Sequence, residues 1–141
     1  MLSIGPRTHF RWQKLSSPYF GRIAKPIARV SLKKKSGDWQ EFWVEVDSGA
    51  AISLFNKSDC DLLGYRLQDG WVCELQGVTG HSIHCYVHNI DMKIGEEVIK
   101  AKVAFSDSDK HRLLLGRVDV FDSFEIDLRG KTLDTFFGRD L

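Results

Sequence analysis

Between residues 42 and 55 the chain reads Phe-Trp-Val-Glu-Val-Asp-Ser-Gly-Ala-Ala-Ile-Ser-Leu-Phe. Apolar Phe42, Val44 and Val46 recur every second residue, the pattern of a strand buried on one face. That strand delivers Asp47 into a turn of small residues, which leaves the carboxylate accessible. Gly49 lets the backbone pass close to a neighbour, and the Ser48 hydroxyl is available to tie the turn down. The same three letters also make an ordinary Asx turn, so Asp47 gains chemical meaning only from the rest of the chain.

The remainder reads as strands. Residues 27–32 alternate, and the polar stretch 33–38 turns them back into the Asp47 strand as a hairpin. After the acid turn, residues 56–64 predict a helix of one or two turns, capped by Asn56 or Ser58 and stopped by Gly64. Residues 71–87 form two strands about a Gly77–Gly80 tip. A further hairpin joins 89–94 to 98–105 around Gly95-Glu96-Glu97, with Ile99, Ala101, Val103 and Phe105 on one face. The expectation is one all-β domain with one or two short helices, and 141 residues suffice to bury its core. No repeat appears, and Asp-Ser/Thr-Gly occurs once.

Charge divides the chain unevenly. The first 37 residues hold nine Lys or Arg and no acid, so a net charge of +1 conceals a head near +9 and a body near −8. Residues 1–21 are therefore assigned as a basic N-terminal extension, and 22–141 as the domain. A solvated tail with a basic first strand is the favoured reading of the head, and no nucleic-acid partner is expected. Phe10, Trp12, Tyr19 and Phe20 interleave with Arg7, Arg11 and Lys14, which also suits an arm packed on the domain or on a second subunit. No apolar run reaches membrane-span length, and the opening lacks a secretory apolar core. Cys60, Cys73 and Cys85 are an odd number of thiols, so a reducing, cytoplasmic setting is the default; an Arg- and Ser-containing, acid-free opening leaves organelle targeting as the alternative. Cys73 and Cys85 flank the glycine tip almost symmetrically, as a cross-hairpin pair or as separate thiols.

Three motifs together resemble a known family. Asp47-Ser48-Gly49-Ala50, followed by Ala51-Ile52-Ser53 and a short helix ending at Gly64, looks like the active-site segment of retropepsin-like aspartic proteases. Leu113-Leu114-Leu115-Gly116-Arg117 resembles that family's second signature, an apolar run into Gly-Arg that opens a short helix. Gly77-Val78-Thr79-Gly80 is similar to the tip of its flap. The resemblance spans about residues 22 to 135 and implies a retropepsin-like half-barrel acting as a two-fold homodimer on extended peptide segments, with no cofactor and no metal.

Such chemistry needs two carboxylates about 3 Å apart sharing one proton. Mutual repulsion splits their titration, so one is ionised to activate water while the other donates to the scissile carbonyl. With a single Asp47, both come only from two chains. The resemblance gives Asp47 the catalytic role. Ser48 reaches across the two-fold axis to the partner's backbone, and Gly49 presents backbone groups to the substrate. Ala50 and Ala51 line the substrate cleft, and Gly77, Val78, Thr79 and Gly80 form a flap that excludes water. Leu114, Leu115 and Gly116 pack beneath the turn, and Arg117 is structural.

One departure and two rivals accompany this reading. In many viral members an acid follows the active-site segment where this chain has Ala51, which points to the bacterial or cellular branch and leaves Arg117 to pair with Asp119, Glu45 or the partner chain. Imidazole and thiolate suit zinc, but on a strand His84 and His88 face one way while His81 and Cys85 face the other, so a four-ligand cluster is disfavoured. The second rival is a protease-like dimer that holds peptides without cutting them.

Overall fold

A computed structural model describes residues 7–77 and 80–139. In chain order its strands are β1 (Arg7–Arg11), β2 (Gln13–Ser17), β3 (Gly21–Lys25), β4 (Ile27–Lys33), β5 (Trp39–Val46), β6 (Ser53–Phe55), β7 (Trp71–Gln76), β8 (Ser82–Ile94), β9 (Glu97–Ser106), β10 (Leu114–Leu115), β11 (Glu125–Arg129) and β12 (Asp134–Gly138). Among the described residues one α-helix, α1 (Lys57–Leu63), follows β6, and one 3-10 turn spans Leu67–Asp69. The expected mostly-β fold with a short helix is the observed one.

The main sheet closes on itself. Strand β5 runs antiparallel to β4 and parallel to the two-residue β10, which lies antiparallel to β6. Strand β6 is parallel to β9, and β9 antiparallel to β8. Strand β8 then returns to β4, with Ser31 opposite Lys93 and Leu32 opposite Met92. A ring leaves no open edge among its members; among the described residues of this sheet only β7, hydrogen-bonded to β8, adds a free edge.

Period-two alternation sends one face of each strand inward. Ala28, Val30 and Leu32 from β4 meet Phe42, Val44 and Val46 from β5, together with Ile90, Met92 and Ile94 from β8. Phe55 sits at the centre, with ring centroids 5.2 Å from Phe42 and 6.0 Å from Phe105. Strand β8 is continuous over thirteen residues, where the sequence reading divided it. Its buried residues switch face partway: Cys85 and Val87 look away from the main core, while His88, Ile90 and Met92 look toward it. The switch exists because both faces are covered there. Beyond the ring, Leu54, Cys85, Val87 and Ala104 form a second apolar layer with Ile52, Cys73, Leu75, Ile83 and Leu114.

Asn56 starts α1. Its backbone N–H donates to the Asp59 carboxylate at 2.9 Å, while its side-chain amide is held by the His111 backbone. Gly64, at φ +88°, ends it in the left-handed conformation. The second short helix expected after Gly116 does not form. Residues 117–124 make successive turns interrupted by Asp119 at φ +65°. The Asp119 carboxylate accepts the Lys102 backbone N–H at 2.9 Å and pairs with its ammonium at 3.2 Å, so the fold uses this residue to satisfy β9 rather than to continue a helix.

A second, three-stranded sheet is ordered β1-β12-β11. Arg7–Arg11, part of the basic stretch 1–21, is thus paired with the body. Phe10 packs edge-on against Phe137 (5.9 Å), and Asp134 accepts from His9 and Arg11. The β2–β3 hairpin exposes Tyr19 and Phe20 at its tip.

The hydrogen bonds from Lys102 and the nearby ammonium lower the Asp119 pKa, so its folded form favours the charged state. Its stabilising contribution is complete above the ordinary carboxylate pKa near ~3.9 and is lost as pH falls through the depressed folded value. Asp119→Asn, which tolerates the left-handed backbone, should therefore melt below wild type at neutral pH, with the gap closing in acid. Thermal unfolding followed by circular dichroism between neutral pH and strong acid measures it.

Candidate active site

Strand β5 ends against β10, which holds the acid turn from below. The Glu45 N–H donates to the Leu113 carbonyl at 2.9 Å and the Asp47 N–H to the Leu115 carbonyl at 3.0 Å, continuing the parallel pairing by one residue past the strand. Asp47 then folds back on its own turn: its Oδ1 accepts the Gly49 N–H at 2.8 Å, and its carbonyl accepts the Ala50 N–H at 3.1 Å. Asp47 is half-buried, and Ser48 and Gly49 are exposed.

The Gly116-Arg117 segment closes over the far side of the turn. The Arg117 N–H donates to the Ala50 carbonyl (3.0 Å) and the Val118 N–H to the Ala51 carbonyl (2.9 Å). The Arg117 guanidinium donates to the Ser48 carbonyl at 2.7 Å. It therefore takes neither carboxylate that the sequence offered. Glu45 is held by Arg112 (3.0 Å) and Lys25 (3.8 Å), and Asp119 by Lys102. With Ala51 in the neighbouring position, a backbone carbonyl is the acceptor within reach.

Gly116 is where the two segments touch. A β-carbon there would lie 2.4 Å from the Ile52 carbonyl carbon and 2.5 Å from its oxygen, both backbone atoms that cannot swing away. Its N–H donates to the Oγ of buried Ser53 at 3.0 Å. Leu114 opposes Leu54 across the β6–β10 pairing, and Leu115 is fully buried beneath the turn. Ser53 is a supporting residue that the sequence reading left without a role. A hydroxyl at an inward position of an otherwise apolar strand was the available signal.

A shallow concavity of about 400 Å3 adjoins the turn, lined by Ala51, Arg117, Val118, Phe121 and Asp122. Gly77 and Gly80 lie at the β7–β8 turn: the Gly77 N–H donates to the His81 carbonyl, the Gly80 N–H to the Gly77 carbonyl, both at 3.0 Å, and Gly80 has φ +82°. Val78 and Thr79 lie outside the described residues. The histidines are dispersed. His84 faces Glu74 at 3.8 Å, and His88 is buried with Nε2 3.0 Å from the Leu67 carbonyl and its ring edge-on to Phe105. Among the described residues no three His, Cys, Asp or Glu side chains come together as a metal-binding group.

No protein-family profile matches the chain, and no curated protein matches it. Among solved structures it is similar to the EIAV protease complexed with the inhibitor HBY-793, at 22% identity over 66% of this chain and 82% of that one, with a TM-score of 0.49.

The packing at Gly116 yields a direct expectation. Gly116→Ala forces the turn and β10 apart and should destabilise the protein by about 1–3 kcal/mol or more, as overpacking does. Arg117→Lys, which keeps the charge but not the planar guanidinium, should cost less. Urea midpoints of the two variants provide the comparison.

Proposed function

We propose that the chain is an aspartic endopeptidase of retropepsin-like type, working as a homodimer in which each subunit contributes one Asp47. The observation that carries this reading is the Asp47 turn itself. An accessible carboxylate, oriented by the Gly49 N–H, rests on a β5–β10 platform that Arg117 clamps at the Ser48 carbonyl. Arrangement of an acid on a rigid support, with small exposed residues around it, suits a group that must meet both a second carboxylate and a peptide.

In the dimer one Asp47 is ionised and the other protonated. The ionised carboxylate takes a proton from water as the oxygen attacks the scissile carbonyl, and the protonated one donates to the carbonyl oxygen. As the tetrahedral gem-diol collapses, the carboxyl that took the water's proton gives it to the departing amide nitrogen while the other carboxylate takes a proton from a gem-diol hydroxyl, so the C–N bond breaks, the C=O bond re-forms and the pair again holds one proton. Ser48 would brace the pair through the partner's backbone. Ala50 and Ala51 would flank an extended substrate, and the Gly77–Gly80 turn, with Val78 and Thr79, would cover it. Ala51, with Arg117 engaging a backbone carbonyl in place of a side-chain acid, supports a position nearer the bacterial and cellular members than the viral ones. No helix among the described residues is long and apolar enough to cross a membrane.

Digestion of a mixed peptide library from acid to neutral pH, read by mass spectrometry, tests the reading. Wild type should cut, and Asp47→Asn should lose at least about 10²-fold in kcat/KM, the scale of acid–base catalysis, with folding unchanged. Full activity in the variant would remove Asp47 from the chemistry. Absence of cleavage by either protein, with a dimer retained by both, would favour the peptide-holding reading. Specific activity should also fall as the enzyme is diluted, and activity that persists in a proven monomer would exclude a shared site.

A further inference from the structure

Strands β7 and β8 place Cys73 directly opposite Cys85. The Gly77 N–H donates to the His81 carbonyl across the same hairpin. Stepping back two residues at a time, Leu75 with Ile83 and then Cys73 with Cys85 fall at hydrogen-bonded positions of the ladder. Residues opposed at such positions have Cα atoms about 5.5 Å apart and side chains on one face. A disulfide spans Cα separations of roughly 4.4–6.8 Å and Cβ separations of roughly 3.5–4.5 Å, so the Cα spacing of this pairing suits the bond and closing it requires the two side chains to draw together across the rung.

Both thiols are free and both pack against the same apolar layer of Leu54, Val87 and Ala104. They differ in access. Cys85 is fully buried, and burial first, with Cys73 beside it, pushes its thiol up to about 12; Cys73 is partly exposed. An oxidant therefore meets Cys73 first, while Cys85 waits beside it as the resolving thiol. Cys60, buried in α1 within the main core, shares neither the hairpin nor the layer.

We propose that Cys73 and Cys85 form a reversible oxidation site, closed by peroxide into a cross-strand disulfide beneath the Gly77–Gly80 turn. The Cys73 sulfur attacks hydrogen peroxide, the O–O bond breaks, and the products are a sulfenic acid and water. The Cys85 sulfur then displaces the hydroxyl from Cys73. The S–S bond forms, and the hydroxyl leaves with the Cys85 proton as a second water. The two sulfurs lose two electrons in all and the peroxide gains them. An added dithiol reverses the bond by exchange. Because β8 is the one strand that pairs with β7 among the described residues, the bond adds a covalent tie between the free-edged strand and the barrel.

The test is a thiol count on the native full chain after treatment with equimolar hydrogen peroxide, quenching, denaturation and alkylation, with peptide mapping. Wild type should pass from three alkylated cysteines to one, Cys60, with the Cys73 and Cys85 peptides recovered as a single disulfide-linked species that dithiothreitol separates. Hydrogen exchange of Trp71–Gln76 amides should slow in the oxidised protein. Cys60→Ser should form the same link, and Cys85→Ser should stop at a Cys73 sulfenic acid that dimedone traps. Three thiols still alkylated, Cys73 driven to sulfinic acid with Cys85 free, or disulfides joining two chains would each overturn the proposal. None of these readouts depends on peptide cleavage.

Discussion

The contact between Gly116 and the Ile52 backbone is the constraint on which the site rests. Only a residue without a side chain lets the β10 segment lie against the acid turn at that distance. Once it does, backbone groups on both segments find each other: Asp47 with Leu115, Ala50 with Arg117, Ala51 with Val118. The turn's own carbonyl at Ser48 takes the guanidinium. A short polar loop, usually among the mobile parts of a protein, is thereby anchored like a strand. Rigid support of this kind is what positions a reacting carboxylate to a fraction of an ångström.

The ring of strands supplies the foundation. Strand β10 is only two residues long and would not persist alone, but it is flanked by β5 and β6, whose inward residues belong to the main core. The second apolar layer does a different job. Leu54 and Leu114 carry it to the foot of the acid turn, while Leu75, Ile83 and the two hairpin cysteines carry it toward the glycine turn. One continuous apolar surface thus joins the candidate catalytic turn to the hairpin.

Much of the frame was legible in the chain because it follows simple periodicities. The β4–β5 hairpin, the inward face of β9, and the helix between Asn56 and Gly64 were all written in alternation and capping residues. Three features were not. The single long strand β8 was divided because Val87 and His88 are both buried, which breaks a period-two reading whenever a sheet is covered on both sides. The helix after Gly116 was implied by the resemblance of the Leu113–Arg117 run to a known signature, yet a tertiary hydrogen bond from the Lys102 N–H holds Asp119 out of helical geometry. Arg117 was expected to seek a carboxylate, and a carbonyl lay nearer. The pairing of β1 with β12 joins residues over a hundred positions apart; Thr8 and Phe10 alternate with charges as an exposed arm would, and Ile126 and Leu128 do the same in β11. At the site, the identities of the turn residues were readable, whereas the support by Ser53 depends on where β6 falls against β10.

If two Asp47 carboxylates from different chains make one active centre, as proposed, subunit mixing must abolish it. Wild-type protein at fixed concentration is equilibrated with increasing Asp47→Asn, and peptide cleavage is measured at each ratio. Mixed dimers carry one carboxylate, so activity should decline toward zero as the variant comes into excess. Activity that stays proportional to the wild-type concentration, with mixed dimers demonstrated by native mass spectrometry, would contradict the shared centre.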